Sequence, residues 1–169
     1  MPPKKERSVR IRRSRLSDVP QIYACQEAAY QNYGSGGLCD ERLLTLQIEA
    51  FPEGQLVAVY RGRVVGYAIT LFTYSSFLAL PTLYLEDLFV LESHRGQGAG
   101  YRLFTHCVEE AHRRGCGRME WQVLDWNRLA IDFYERLGAR QMKEWLPYRM
   151  VREDMEALLS KKRAGQASG

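Results

Sequence analysis

A strand that runs through a glycine-rich turn straight into a helix leaves few folds open. Here it reads Leu88-Phe89-Val90-Leu91-Glu92-Ser93-His94-Arg95-Gly96-Gln97-Gly98-Ala99-Gly100. After it, Leu103, Phe104, Cys107, Val108 and Ala111 recur at helical spacing until Gly115 and Gly117 close the run. The first N–H groups of such a helix lack carbonyl partners and lie at the positive end of its dipole, so the turn is suited to holding phosphate. Glycine lets the backbone approach an anion with no Cβ in the way. Spacing then sorts the ligands. No Lys follows Gly100, which sets aside the nucleotide loop G-x-x-x-x-G-K-[ST]. Counting G-x-G-x-x-G from Gly96 puts Tyr101 where the third glycine belongs, which sets aside the dinucleotide fingerprint. What remains is Arg95-x-x-Gly98-x-Gly100.

The elements around this turn follow from periodicity. Val9 and Ile11 alternate with arginines as a short strand, and Ser17-Asp18-Val19-Pro20 reads as a helix start with Ser17 as N-cap, the helix running to about Tyr30. Beyond the Gly34–Gly37 loop, Asp40 is expected to cap a second helix through Ala50 with Leu43, Leu46 and Ala50 on its inner side. Gln55–Tyr60 and Val64–Phe72 are strands joined at Arg61-Gly62-Arg63, and Leu83–Val90 is the next. Arg118–Leu124 alternates as a strand, Asn127–Leu137 is helical, and Arg140–Val151, broken at Pro147, supplies one or two last strands. The order β-α-α-β-β-β-α-β-α-β describes an α/β (α+β) domain, a mixed sheet with helices on both faces. We expect a basic N-terminal segment over residues 1–8, one domain over 9–152, and a C-terminal helix end with a basic tail over 153–169.

Charge decides which partners are open. The chain of 169 residues carries +4 overall, but residues 1–15 hold seven Lys/Arg against Glu6, and Lys161, Lys162 and Arg163 add three more near the other end, so residues 16–160 are net acidic at −5. A cationic substrate is therefore compatible with the basic pI, and nucleic acid is the less expected partner. Cys25, Cys39, Cys107 and Cys116 show no C-x-x-C pairing, and the N-terminus lacks a secretory apolar core, so the expectation is reduced thiols in a cytoplasmic protein. Val64–Leu85 is uncharged, yet Gly66, Pro81 and several Ser and Thr residues argue for two strands rather than a membrane span. His94, His106 and His112 have no metal-ligand spacing, so no metal is expected.

The R-x-x-G-x-G turn between strand and helix resembles the acetyl-CoA pyrophosphate loop of the GNAT N-acetyltransferases. Asn127-Arg128-Leu129-Ala130-Ile131-Asp132-Phe133-Tyr134-Glu135-Arg136-Leu137-Gly138-Ala139 is similar to the N-x-x-A-x-x-F-Y-x-x-x-G-[FA] segment of that superfamily. Tyr84-Leu85-Glu86-Asp87-Leu88-Phe89-Val90 and Val123-Leu124-Asp125-Trp126-Asn127 resemble its spermidine/spermine (diamine) group, including the thialysine branch. The resemblance implies a mostly antiparallel sheet of six to seven strands and a homodimer with Trp145–Val151 near the partner subunit. It implies direct transfer from acetyl-CoA to a small primary amine. It assigns the amides of Arg95, Gly96, Gln97, Gly98, Ala99 and Gly100 to the pyrophosphate, the main chain of Leu88, Phe89 and Val90 and the Asn127 side chain to the pantetheine arm, and Tyr134 to the cofactor sulfur as general acid. Asp87 and Trp126 join Glu86 around the amine.

The residues carry part of that chemistry unaided. An alkyl amine has a pKa near ~10.4 and reaches the enzyme protonated, so it must lose a proton before attacking a thioester. Glu86, at a strand end beside the turn, can bind the ammonium and take its proton directly or through water; at ~4.3 it is a weak base unless its pKa is raised. Asp87 points to the opposite face of a regular strand, so the two acids serve one pocket only if the strand bulges. Asn127 is equally read as a helix N-cap, and Tyr134 as a tyrosine packed beside Phe133. Polyamine enzymes of this type carry extra acids where this chain has Tyr30-Gln31-Asn32-Tyr33 and Thr73-Tyr74-Ser75-Ser76-Phe77, which brings a shorter amine or a thialysine-like amino acid forward. A protein or peptide N-acetyltransferase, and a CoA-binding regulatory module without turnover, stand as alternatives.

Overall fold

Pairing of neighbouring hairpins builds the sheet. In the computed structural model, which describes residues 8–33 and 40–167, the chain divides into two units, residues 1–122 and 123–169. In the first, β1 (Arg10–Arg13), β2 (Gln55–Tyr60), β3 (Arg63–Ser75), β4 (Leu80–Val90) and β5 (Arg118–Glu120) lie in that order in one sheet. The first four pair antiparallel and β4 pairs parallel with β5, through the helical crossover that a parallel pair requires. The β2–β3 turn has Arg61 and Gly62 both at positive φ, 48° and 77°, the geometry whose twist matches a two-residue hairpin.

α1 (Val19–Tyr33) and α2 (Glu41–Ala50) cover one face, where Ile22, Cys25, Leu44 and Ile48 pack with Val57, Tyr67, Ile69 and Phe89. α3 (Ala99–Arg113) buries Ala99, Leu103, Phe104, Cys107 and Ala111. Its Gly100 approaches the side chain of Val90, which by strand alternation points away from Phe89, so α3 lies on the opposite face. Asp40 caps α2, its carboxylate accepting the Leu43 N–H at 2.7 Å.

Three expectations are corrected by the fold. Ser17 is not the cap. A 3₁₀ turn over Leu16–Asp18 precedes α1, and Asp18 accepts the Arg15 N–H at 2.8 Å while gripping Arg12 bidentately at 2.6 and 2.8 Å. In α2 the buried arc is Leu44 and Ile48, with Leu43, Leu46 and Ala50 exposed; a short helix with apolar residues on two opposite sides does not mark by itself which side meets the sheet. The sheet has five strands rather than six or seven, because Arg140–Val151 forms none among the described residues. A strand exists only through its ladder, and Pro147 lacks one of the donors.

The second unit holds α4 (Arg128–Arg136) and α5 (Arg152–Ala167), the latter including Lys161, Lys162 and Arg163. The Gly34–Gly37 loop, Cys39 and the N-terminal residues 1–7 lie outside the described residues.

Candidate active site

The glycine turn takes the shape its sequence requires. After Val90 a 3₁₀ turn, Glu92–His94, leads to Arg95 in extended conformation, then Gly96 at φ 71° and Gly98 at φ 81°. Positive φ is the left-handed region, costly for residues with a Cβ. A Cβ at Gly96 or Gly98 would meet nothing within 4 Å, so dihedral angle and not crowding selects glycine here, and the space beyond the backbone is open. Gly98 is the N-cap of α3 and brings no capping side chain. No acid stands in the first turn either, so nothing in α3 itself neutralises its positive end. Arg95 turns inward, its Nε donating to the Val90 carbonyl at 3.0 Å and its guanidinium lying 5.6 Å from the Phe89 ring centre. It therefore braces the turn. Gly96, Gln97 and Gly98 are exposed, Gly100 is half-buried and Ala99 is buried.

β4 has a loose edge beside that turn. β5 pairs only with Thr82–Tyr84, so from Leu85 to Val90 the strand has no β-partner on that side among the described residues. Leu88 is half-buried and Phe89 and Val90 are buried, all held by β3 on the other edge. Within this stretch the β3–β4 register slips: Ile69 faces Asp87 and Thr70 faces Leu85, so Glu86 is an extra, unopposed residue. This is the bulge that sequence alone left as a condition. Glu86 is exposed and Asp87 half-buried.

Asp87 has a partner that sequence reasoning missed. The hydroxyl of Tyr67, a residue 2% exposed on β3, donates to Asp87 Oδ2. Burial pushes the Asp87 carboxyl above its ordinary range and the Glu86 charge adds to that, while the Tyr67 hydroxyl and the Leu88 N–H pull it down; the net direction is upward. The same burial and the Asp87 charge push the Tyr67 phenol up, so it stays a protonated donor. A tyrosine inside the aliphatic run Val64–Ile69 was the available signal, since a buried phenol needs a partner for its hydroxyl.

The remaining candidates lie in the second unit. Asn127 caps α4, its Oδ1 accepting the Ala130 N–H at 3.2 Å, which is the helix-cap role weighed from sequence. Tyr134 is half-buried on α4 with its ring 5.1 Å from Phe133, and Trp126 is exposed. Among the described residues no group of three His, Cys, Asp or Glu side chains converges as a metal site would, and no helix is long and apolar enough to cross a membrane.

Comparison with known proteins adds to this geometry. The profile of the acetyltransferase (GNAT) family matches residues 20–139. An L-ornithine N5-acetyltransferase of Arabidopsis thaliana is 41% identical over 95 residues, 56% of this chain and 42% of that protein. A thialysine N-epsilon-acetyltransferase of Mus musculus is 39% identical over 98 residues, 56% of this chain and 57% of that protein. The matched stretch thus spans about half the length of these curated relatives. Among solved structures, an integron cassette protein from the mobile metagenome of V. cholerae superposes with a TM-score of 0.74 at 26% identity, covering 90% of this chain and 98% of that one.

Proposed function

The chain belongs to the acetyltransferase (GNAT) family, and from that premise we propose that it transfers an acetyl group from acetyl-CoA to the primary amine of a small molecule, residues 9–152 acting as one catalytic domain. The observation that carries the reading is the join of β4 to α3. A strand edge without a β-partner among the described residues from Leu85 onward runs into a turn whose two positive-φ glycines face open space at the uncapped start of a fifteen-residue helix. The residues fit the cofactor. Main-chain N–H groups from Arg95 to Gly100 would hold its diphosphate, the free edge of Leu88–Val90 would pair with its amide arm, and the Asn127 carboxamide nitrogen would donate to that arm while Oδ1 caps α4. Bound there, acetyl-CoA supplies an activated acyl thioester.

The amine side rests on the two acids of β4. Asp87 binds the ammonium. Glu86, exposed beside it, passes the amine proton to water, so that a neutral nitrogen attacks. Tyr134 gives its phenolic proton to the departing thiolate. The acceptor is an α-amino acid with a side-chain amine, of the ornithine or thialysine kind, for two reasons: relatives matching at about two-fifths identity carry those names, and the chain lacks the extra acids a long polyamine would engage. Trp126 lies against its aliphatic part. A homodimer belongs to the same proposal, supported by the exposure of Trp145, Leu146, Tyr148 and Met150 where a partner subunit is expected. So does a reducing, cytoplasmic setting, supported by the free thiols of Cys25, Cys107 and Cys116.

Thiol release from acetyl-CoA across ornithine, thialysine, lysine, short diamines, spermidine and a lysine-containing peptide tests the reading. The amino acids should be the best acceptors. Turnover only with the peptide, or coenzyme binding with no turnover, would overturn it. Tyr134→Phe should lower kcat by about a hundredfold with coenzyme affinity held, and an undiminished rate would remove Tyr134 as the acid.

A further inference from the structure

Tyr67 is the member of this region that the mechanism has not used. It lies in the core beside Ile22, Cys25 and Phe89, and its ring centre is 6.2 Å from that of Phe89. A phenylalanine would fill the same volume without burying a hydroxyl, whose desolvation is unfavourable unless a partner takes the hydrogen bond. That partner is Asp87 Oδ2, reached diagonally across the ladder, since Tyr67 faces Phe89 and Asp87 faces Ile69. Asp87 is also the first residue beyond the bulge, and its pairing with Ile69 puts its side chain on the face that Tyr67 and Phe89 share.

We propose that Tyr67 is a positioning residue for the amine: its hydroxyl clamps one oxygen of Asp87, fixing the carboxylate so that the other oxygen receives the substrate ammonium. This rests on the acetyltransferase reading and adds to it the residue that sets the grip on the amine. The groups acting on the pair come from three elements. Glu86 and the Leu88 N–H act from β4, Tyr67 from β3, and Cys25 and Tyr30 from α1 through their effect on Tyr67. Burial pushes the Cys25 thiol up to about 11, so it carries no charge at neutral pH. Among the described residues no lysine or arginine is one of these groups, and a bound ammonium would bring a positive charge to Asp87 and Glu86.

The test is Tyr67→Phe in the full chain, with Asp87→Asn and the double variant. The hydroxyl favours ionised Asp87, so its loss should move the acid limb of kcat/KM to higher pH, raise the amine KM by about tenfold with kcat nearly kept, and leave coenzyme A affinity unchanged. In the Asp87→Asn background Tyr67→Phe should add nothing. A carbon-13 titration of the Asp87 carboxyl should show its midpoint raised in Tyr67→Phe. A role confined to packing would lower the unfolding midpoint and leave the acid limb and the titration in place, and that result overturns the inference. If the wild type acetylates no amine, the functional reading falls first. The carboxyl titration and ammonium-dependent shifts of the Asp87 signal with ornithine then decide the clamp, and an unmoved midpoint with no Tyr67-dependent shift refutes it.

Discussion

Replacing Gly98 by alanine separates the cost of a dihedral angle from the cost of a lost ligand contact. Gly98 sits at φ 81° and an added Cβ would touch nothing within 4 Å, so the penalty in the free protein is that of a left-handed alanine, about 1–2 kcal/mol, reduced by the smaller freedom of the unfolded chain to roughly 1 kcal/mol. For a chain of this length that lowers Tm by about 2–4 °C. Gly115, past the far end of α3, is its control: φ is 69° and a Cβ there also meets nothing, so Gly115→Ala should lose the same stability. The two should part on ligand. The open space over Gly98 is where the proposed diphosphate lies, and weakening one charge-assisted contact there corresponds to about a tenfold or greater loss of coenzyme A affinity. Titration calorimetry with coenzyme A, alongside urea unfolding of both variants, makes the comparison. Equal affinities in Gly98→Ala and Gly115→Ala would refute the argument that the start of α3 receives the diphosphate.

Gly66→Ala should behave differently from either, because its Cβ would lie 2.6 Å from the Phe89 carbonyl oxygen; we expect a loss of about 3 kcal/mol in urea unfolding, and a loss near 1 kcal/mol would show that β3 and β4 are not this close. Asp18 is nearly buried and its carboxyl is held below the usual range, chiefly by Arg12 and then by the Arg15 N–H. A depressed carboxyl stabilises fully above its unfolded pKa of about 4 and less as pH falls through the folded value, so Asp18→Ala should cost about 3 kcal/mol at pH 7, a gap that narrows as pH falls below about 4; a gap that stays constant on acidification would dismiss the pair. Burial pushes Cys107 up to about 12 and Cys25 to about 11, whereas Cys116 is only half-buried. Mass spectrometry after brief alkylation of the native protein at pH 8 should find Cys116 modified ahead of both, and labelling of Cys107 first would contradict the packing of α3.

Features that depend on one stretch of backbone are legible in residue type alone. The turn from Arg95 to Gly100 is of this kind, because positive φ and an uncapped helix start leave a local mark on the chain. The same holds for Asp40 as the cap of α2 and for Asn127 as the cap of α4. Features that resist such reading depend on a second stretch that one-dimensional periodicity does not name. Ser17 reads as the cap from its type alone, whereas in the fold it lies inside a 3₁₀ turn whose Asp18 is held by Arg12, six residues earlier, and by the Arg15 N–H. The buried arc of α2 is open to two readings because apolar residues also line the opposite side of the helix. A ladder partner for Arg140–Val151 is likewise not written in that segment.

The two acids of β4 owe their different surroundings to such a second stretch, and their chemistry with it. In the sequence Glu86 and Asp87 are adjacent carboxylates of nearly equal strength, and strand alternation would send them to opposite faces. A slip of one residue between β3 and β4 instead leaves Glu86 unopposed and exposed, and turns Asp87 to a buried phenol. Asp87, the proposed holder of the ammonium, is half-buried against the Tyr67 hydroxyl, whereas Glu86, the proposed proton acceptor, has ready access to water. Holding a cation and removing its proton call for these two different environments. One extra residue in one strand supplies both within a single dipeptide, so deleting the bulge should cost the proposed amine site both properties while leaving the glycine turn and its proposed coenzyme affinity in place.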